Sequence, residues 1–201
     1  MLYYSILLLT ITVILIKTGL NETPGGTDVP KFISWVPTEP EYVTLFFELA
    51  PVSSSDIVYD LGSGDGRLLF AALEKGAGRC IGIDIDPERV NASREEAKNK
   101  SLDDKLTFIE GDVMEQDLSA ASVILCYLFT TASAALRPKF ENELRPGTRV
   151  VVESFPVPGW KPVKIQEING RSFHLYVMPP ERTENYDSSL DESSHEYDGY
   201  W

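Results

Sequence analysis

The residues best suited to chemistry are concentrated between Val58 and Arg67, which read VYDLGSGDGR. Gly62, Gly64 and Gly66 alternate with Ser63 and Asp65 where an apolar, β-rich run gives way to a helical one. Glycine tolerates positive φ and lets a ligand lie against bare backbone, and a helix start offers N–H groups to an anion. Such a cradle suits the carboxylate of an amino-acid moiety, with Asp60 at the strand end placed to meet the ammonium group. A second acid, Asp84, follows Gly82 at the end of the next strand, with Ile85 after it. A carboxylate there can accept ribose hydroxyls. A third cluster, Gly111-Asp112-Val113, follows strand three, where the acid can accept an exocyclic adenine amine. Together these positions describe a methionine, a ribose and an adenine in series, which is S-adenosyl-L-methionine. A dinucleotide dehydrogenase is the nearest rival, but it uses G-x-G-x-x-G spacing, and here the spacing is G-x-G-x-G.

The elements that must hold these residues alternate along the chain. Strands are expected at 57–61, 80–85, 106–110, 123–127 and 148–153, with helices at 67–74, 87–98 and 132–144 between them. Two further strands, 163–168 and 172–177, meet at Asn169-Gly170, a strong hairpin signal. Parallel units joined by helical crossovers and closed by a hairpin make a doubly wound, Rossmann-like α/β sheet of seven strands, mostly parallel with one antiparallel strand.

Outside residues 32–178, assigned to this domain, the composition changes. Met1 to Ile16 carries no charged side chain, and residues 1–20 are expected to form a hydrophobic membrane-anchor helix, short for a ~30 Å hydrocarbon core. Lys17 and Lys31 on its carboxyl side place the domain in the cytoplasm. A cleaved signal peptide is the competing reading, but it lacks a basic n-region and a small-residue cleavage site, and a helix packed on the domain is a third. Residues 21–31 read as a linker and 179–201 as an acidic, disordered tail. The net charge of -13 weighs against nucleic acid as a partner. Cys80 and Cys126 sit in apolar runs and read as packed thiols; with His174 and His195 they show no ligand spacing, so no metal is expected.

From Trp35 to about Met178 the chain resembles the seven-strand protein lysine methyltransferases. That group contains the archaeal broad-specificity enzymes and the mitochondrial enzymes that modify the ATP synthase c-subunit and the adenine nucleotide translocase. The resemblance rests on Trp35-Val36-Pro37-Thr38 before strand one, Leu136-Arg137-Pro138-Lys139, Leu144-Arg145-Pro146-Gly147-Thr148-Arg149-Val150-Val151, and Phe155 followed by Pro158-Gly159-Trp160. Members of the mitochondrial branch also carry an amino-terminal hydrophobic segment. The chain departs from the pattern in three places. Glu39 separates Thr38 from Pro40, Asp84 replaces a frequent glutamate, and Tyr127-Leu128-Phe129-Thr130 stands where a Tyr-Leu-Leu-Pro-like run is usual.

What the resemblance implies is methyl transfer from S-adenosyl-L-methionine to lysine side chains of a protein substrate, with membrane-associated proteins among the candidates. Trp35, Pro37 and Thr38 then cover the cofactor or line the acceptor mouth, although Thr38 serves equally well as a cap for the helix 41–50. A lysine amine, with a reference pKa near ~10.4, must lose its proton before it attacks. Tyr127 after strand four is expected to shape the acceptor channel, and Glu153 at the end of strand five to orient or deprotonate the amine; a packed aromatic and a solvated loop acid are the plainer readings. Trp160 reads as an acceptor-site wall or as packing. No Asn/Asp-Pro-Pro-aromatic run follows strand four, which disfavours a planar base or amide nitrogen as acceptor. A small-molecule methyltransferase and a non-catalytic cofactor-binding protein tethered to the membrane are the alternatives.

Overall fold

A computed structural model of the chain describes residues 37–128 and 130–183. Its elements are α1 (Pro40–Leu49), β1 (Ile57–Leu61), α2 (Arg67–Glu74), β2 (Arg79–Asp84), α3 (Pro87–Asn99), β3 (Leu106–Glu110), a 3-10 turn (Val113–Glu115), β4 (Val123–Cys126), α4 (Thr130–Glu143), β5 (Arg149–Glu153), β6 (Trp160–Lys161), β7 (Lys164–Ile168), β8 (Arg171–Val177) and β9 (Glu181–Arg182). Seven strands form one sheet in the order β3-β2-β1-β4-β5-β8-β7. The first five are parallel, and β8 runs antiparallel to both β5 and β7, as expected from the sequence.

The strands read as nearly continuous apolar runs because helices cover both faces. Val58, Val123, Leu125 and Val151 face a core shared with α1, α2 and α3. Their neighbours Tyr59, Leu61, Ile124 and Val152 face a second core with Leu136, Phe140 and Trp160. One strand therefore feeds two layers through its alternation of side chains. The hairpin between β7 and β8 turns at Asn169 (φ 50°) and Gly170 (φ 80°), the paired positive values that a two-residue turn of this hand requires. Cys80 and Cys126 are buried free thiols.

Three expectations are corrected. The membrane-anchored, cytoplasm-facing placement is not upheld: among the described residues no helix is long and apolar enough to cross a membrane. The segment 1–20 on which it rested, and the linker 21–31, lie outside the described residues. The tail does not begin at Pro179, because Glu181 and Arg182 pair with Lys161 and Trp160 and Arg182 bridges to Glu141; residues 184–201 lie outside the described residues. Thr38 does not cap α1. The cap position is Glu39, with Pro40 in the first turn, and no side chain bonds the helix N–H groups there.

Candidate cofactor and acceptor site

Strand order reverses between β1 and β4, and the loops after β1, β2, β3, β4 and β5 open on the same edge of the sheet, where open α/β sheets take their ligands. The glycine loop is folded down onto the end of β2. The N–H groups of Gly62 and Ser63 both donate to the Ile83 carbonyl at 2.9 Å, and Gly66 N donates back to the Ser63 carbonyl at 2.8 Å. Gly62, Gly64 and Gly66 all have positive φ (79°, 55° and 76°), so bare backbone is required at each. Gly66 is also the cap of α2, and having no side chain it leaves the first turn without a side-chain cap.

Gly82 allows this close approach. A Cβ there would fall 2.7 Å from Ser63 Oγ and from Phe108 Cδ1 and 2.9 Å from Leu69 Cδ1. In the sequence Gly82 stands out only as the residue before an acid; its packing role depends on three side chains remote in the chain.

Asp84 is buried and ties the loops together. Its Oδ2 accepts from Gly64 N at 2.7 Å, and its Oδ1 accepts from Asp86 N at 2.9 Å. The Asp84 carbonyl accepts from Gly111 N at 3.0 Å, joining the third loop to the second. A carboxylate has about four lone-pair sites, so each oxygen retains capacity for a hydroxyl. Ile85 lies just past the end of β2 rather than within it. Asp112 accepts from Met114 N through Oδ1 at 2.8 Å and caps the 3-10 turn that buries Val113.

Asp60 is the electrostatic centre of this region. Burial, then the negative charges of Asp84 and Asp65, push its carboxyl up to about 8, and no hydrogen-bond donor acts in the other direction. A buried carboxyl surrounded by acids favours a cation beside it. Next to it, Ser63 Oγ is buried without a hydrogen-bond partner among the described residues. An orphaned hydroxyl, a cradle that admits no Cβ and an acid that lacks a counter-charge together fit a methionine moiety with its ammonium and sulfonium.

The amino-terminal element meets this loop through Arg67, whose Nη1 donates to the buried Thr38 carbonyl at 2.8 Å while Nε donates to Asp65. Pro37 is half-buried beside Thr38; Trp35 lies outside the described residues.

The acceptor candidates converge a short way along the same edge. Glu153 closes β5 and is completely buried. Its Oε1 accepts from Arg171 Nη1 at 2.6 Å, whereas Oε2 has no hydrogen-bond partner among the described residues. Burial pushes the carboxyl up; Arg171 pulls it down through a hydrogen bond and its charge, and Glu39 pushes it up again, leaving a net rise. The Arg171 guanidinium lies 4.5 Å from the Tyr42 ring centroid and 5.8 Å from that of Tyr127. Immediately after Glu153 the chain turns at Ser154 (φ 64°), closed by a bond from Phe155 N to the Glu153 carbonyl. Positive φ at a residue other than glycine tends to occur at functional sites.

Tyr127 and Glu153 are thus brought together. Arg171 and Tyr42 were missed, since nothing local in the sequence signals a cation delivered from β8. Trp160 is packing: it is buried against Phe140 and Tyr176 and donates to Glu141 at 2.7 Å. Buried Arg137 donates to the Pro158 carbonyl at 3.1 Å, so α4 braces the loop that follows Glu153.

Comparison with known proteins shows the family of the chain. The family model of the ANTKMT methyltransferase domain matches residues 60–164, from the acid of β1 to the first residue of β7. The chain belongs to that family. It is 36% identical over 151 residues to a protein-lysine N-methyltransferase of Saccharolobus islandicus, covering 73% of this chain and 94% of that one. It is 28% identical to the adenine nucleotide translocase lysine N-methyltransferase of Mus musculus, covering 78% of this chain and 66% of the mouse protein. Among solved structures, an RNA methyltransferase from Salinibacter ruber, in complex with S-adenosyl-L-homocysteine, superposes with a TM-score of 0.71 at 38% identity. It covers 76% of this chain and 99% of that one. This ANTKMT family member is an S-adenosyl-L-methionine-dependent methyltransferase.

Proposed function

We propose that this methyltransferase N-methylates lysine side chains of protein substrates. The observation that carries the reading is Glu153 at this sheet edge: a buried carboxylate with one oxygen held by Arg171 and the other unpartnered among the described residues suits a protonated aliphatic amine. The curated relatives named as protein-lysine enzymes support the same acceptor. A net charge of -13 suits a basic partner better than a polyanion.

The residues divide by role. Gly62, Ser63, Gly64 and Gly66 hold the carboxylate end of the methionine moiety, and Asp60 takes its ammonium. Asp84, with Ile85 beside it, takes the ribose; Gly111, Asp112 and Val113 line the adenine. Trp35, Pro37 and Thr38 form the cover. When bound, S-adenosyl-L-methionine supplies an electrophilic methyl on a sulfonium. The chain's own task is to align the amine, exclude water and receive a proton, and these effects need no covalent intermediate. Tyr127 borders the amine's path, and Glu153 orients the ammonium or takes its proton.

RNA methylation is the second reading, favoured by the likeness to the Salinibacter RNA methyltransferase. Against it stands Cys126-Tyr127-Leu128 after β4, where enzymes acting on base amines commonly place a Pro-Pro-aromatic run. Incubating cell extract with tritiated cofactor separates the two. The expected result is label that survives nuclease and elutes as methyllysine after acid hydrolysis. Label lost on ribonuclease treatment, or confined to small metabolites, would overturn the lysine assignment.

A further inference from the structure

The acceptor edge holds a feature that cofactor binding does not explain. Glu153 is completely buried, yet only one of its oxygens is engaged among the described residues, and the engaging cation comes from β8 rather than from the loops that form the rest of the site. Leaving half of a buried carboxylate unpartnered is costly unless a ligand completes it. Among the described residues the groups facing Glu153 are few. Arg171 approaches from β8, Glu39 from the segment ahead of α1, and the rings of Tyr42 on α1 and Tyr127 after β4 flank the guanidinium. Phe173, paired with Glu153 across β5 and β8, is fully buried and packs on Tyr42 and Phe46. These residues set a fixed positive charge against one oxygen of Glu153 and two tyrosine rings against that charge.

We propose that Arg171 is a positioning residue for the acceptor: flanked by the rings of Tyr42 and Tyr127, it engages Oε1 of Glu153 and leaves Oε2 as the seat of the incoming ammonium. The inference rests on the lysine reading above and deepens it by naming the subsite. A buried carboxylate without a permanent counter-ion would take up a proton and lose its attraction for a cation. Arg171 prevents this while using only one oxygen. Selection is thus for an acceptor that arrives charged, and deprotonation follows binding.

The sign of the pH dependence follows from the groups named. Replacing Arg171 with methionine removes both influences that lower the Glu153 carboxyl and leaves the two that raise it, burial and Glu39. Glu153 in that variant is neutral up to a higher pH, so the acidic limb of kcat/KM moves upward in pH. Arg171→Lys keeps a charge and returns the limb toward that of the natural chain.

The test uses the full chain saturated with S-adenosyl-L-homocysteine and titrated with n-butylammonium, a mimic of the lysine side-chain end, read by tyrosine fluorescence. Saturable binding is expected for the natural chain. Arg171→Met should raise the half-saturating concentration at least about tenfold at neutral pH, with partial recovery at higher pH, and Glu153→Gln should raise it without recovery. Arg171→Lys should lie between. Unchanged affinity for the homocysteine product in each variant reports an intact fold. Equal butylammonium binding by the natural chain and Arg171→Met at every pH, or no saturable binding at all, would overturn the proposal. Methyllysine in labelled extract decides the acceptor reading separately. If it forms while butylammonium is indifferent to Arg171, the subsite is wrong and the acceptor class stands.

Discussion

Asp60→Asn should make the cofactor-free protein more stable and, at the same time, strip it of most of its affinity for S-adenosyl-L-methionine. Burial and two neighbouring acids push the Asp60 carboxyl up to about 8 in the folded protein, against an ordinary aspartate value near ~3.9. The folded chain therefore keeps a proton that the unfolded chain releases. The sign is fixed by that difference: stability from this group is full below pH ~4 and is lost progressively as pH rises toward about 8. Asparagine carries no such penalty, so at pH 7 the variant should gain roughly 2–4 kcal/mol, a Tm rise of about 5 °C or more. The gain should fade as the pH is lowered toward ~4 in thermal melts. Binding moves the other way. A methionine ammonium beside Asp60 favours the carboxylate, so the natural chain should release a proton when it binds cofactor at neutral pH. Calorimetry in buffers of different ionisation enthalpy measures that proton directly. The variant should bind at least about tenfold more weakly and release none. A residue that lowers stability in the empty protein and strengthens ligand binding is a common trade at functional sites.

Gly66→Ala should cost the domain both stability and cofactor binding. Alanine at φ 76° is strained by about 1–2 kcal/mol. Its Cβ would also sit 2.5 Å from Phe108 Cζ and 2.7 Å from Cε1, on a buried ring that packs against Phe70 with 6.2 Å between centroids. That ring cannot swing into solvent, so the loop must lift instead. The expected loss is about 3 kcal/mol or more of stability, together with cofactor binding. Gly76→Ala is the matched control. It too has positive φ, at 97°, but nothing lies within 4 Å of its added Cβ. It should cost only the backbone strain, about 1 kcal/mol, and leave binding unchanged. Urea titration of the two variants checks the contrast; equal destabilisation would mean that packing against Phe108 is unimportant.

The sheet was legible because its strands are apolar on both faces and separated by turn residues. Strand β3 and helix α2 fall where the pattern places them, and Asn169-Gly170 marks the hairpin. The positions of the residues proposed for the cofactor were legible for a related reason: Asp60 lies in β1, the alternating glycines follow it, Asp84 ends β2 and Asp112 comes two residues after β3, as local sequence places them. Contacts that depend on tertiary approach were not legible. Two-residue strands such as β6 and β9 carry no periodicity, so Glu181 and Arg182 read as tail. Glu39 rather than Thr38 occupies the cap position because Pro40 begins the helix, and Thr38 is held instead by Arg67 from 29 residues away. The pairing of Arg171 with Glu153 spans 18 residues and two strands, and no spacing rule announces it. The hydrophobicity of residues 1–20 suggested a membrane placement that no helix among the described residues supports.

We propose that the glycine cradle, Asp60 in β1, Asp84 at the end of β2 and Asp112 after β3 act together on one adenosyl ligand. Calorimetric titration of S-adenosyl-L-homocysteine into the natural chain and into Asp84→Asn tests this most directly. Asparagine can still accept from Gly64 N, so that tie of the loop is kept while the acceptor for Asp86 N and the charge we propose for the ribose are lost. One-to-one binding by the natural chain, weakened about tenfold or more in the variant at urea-free conditions where it is fully folded, is the predicted result. No binding to the natural chain, or equal affinity in both, would contradict it.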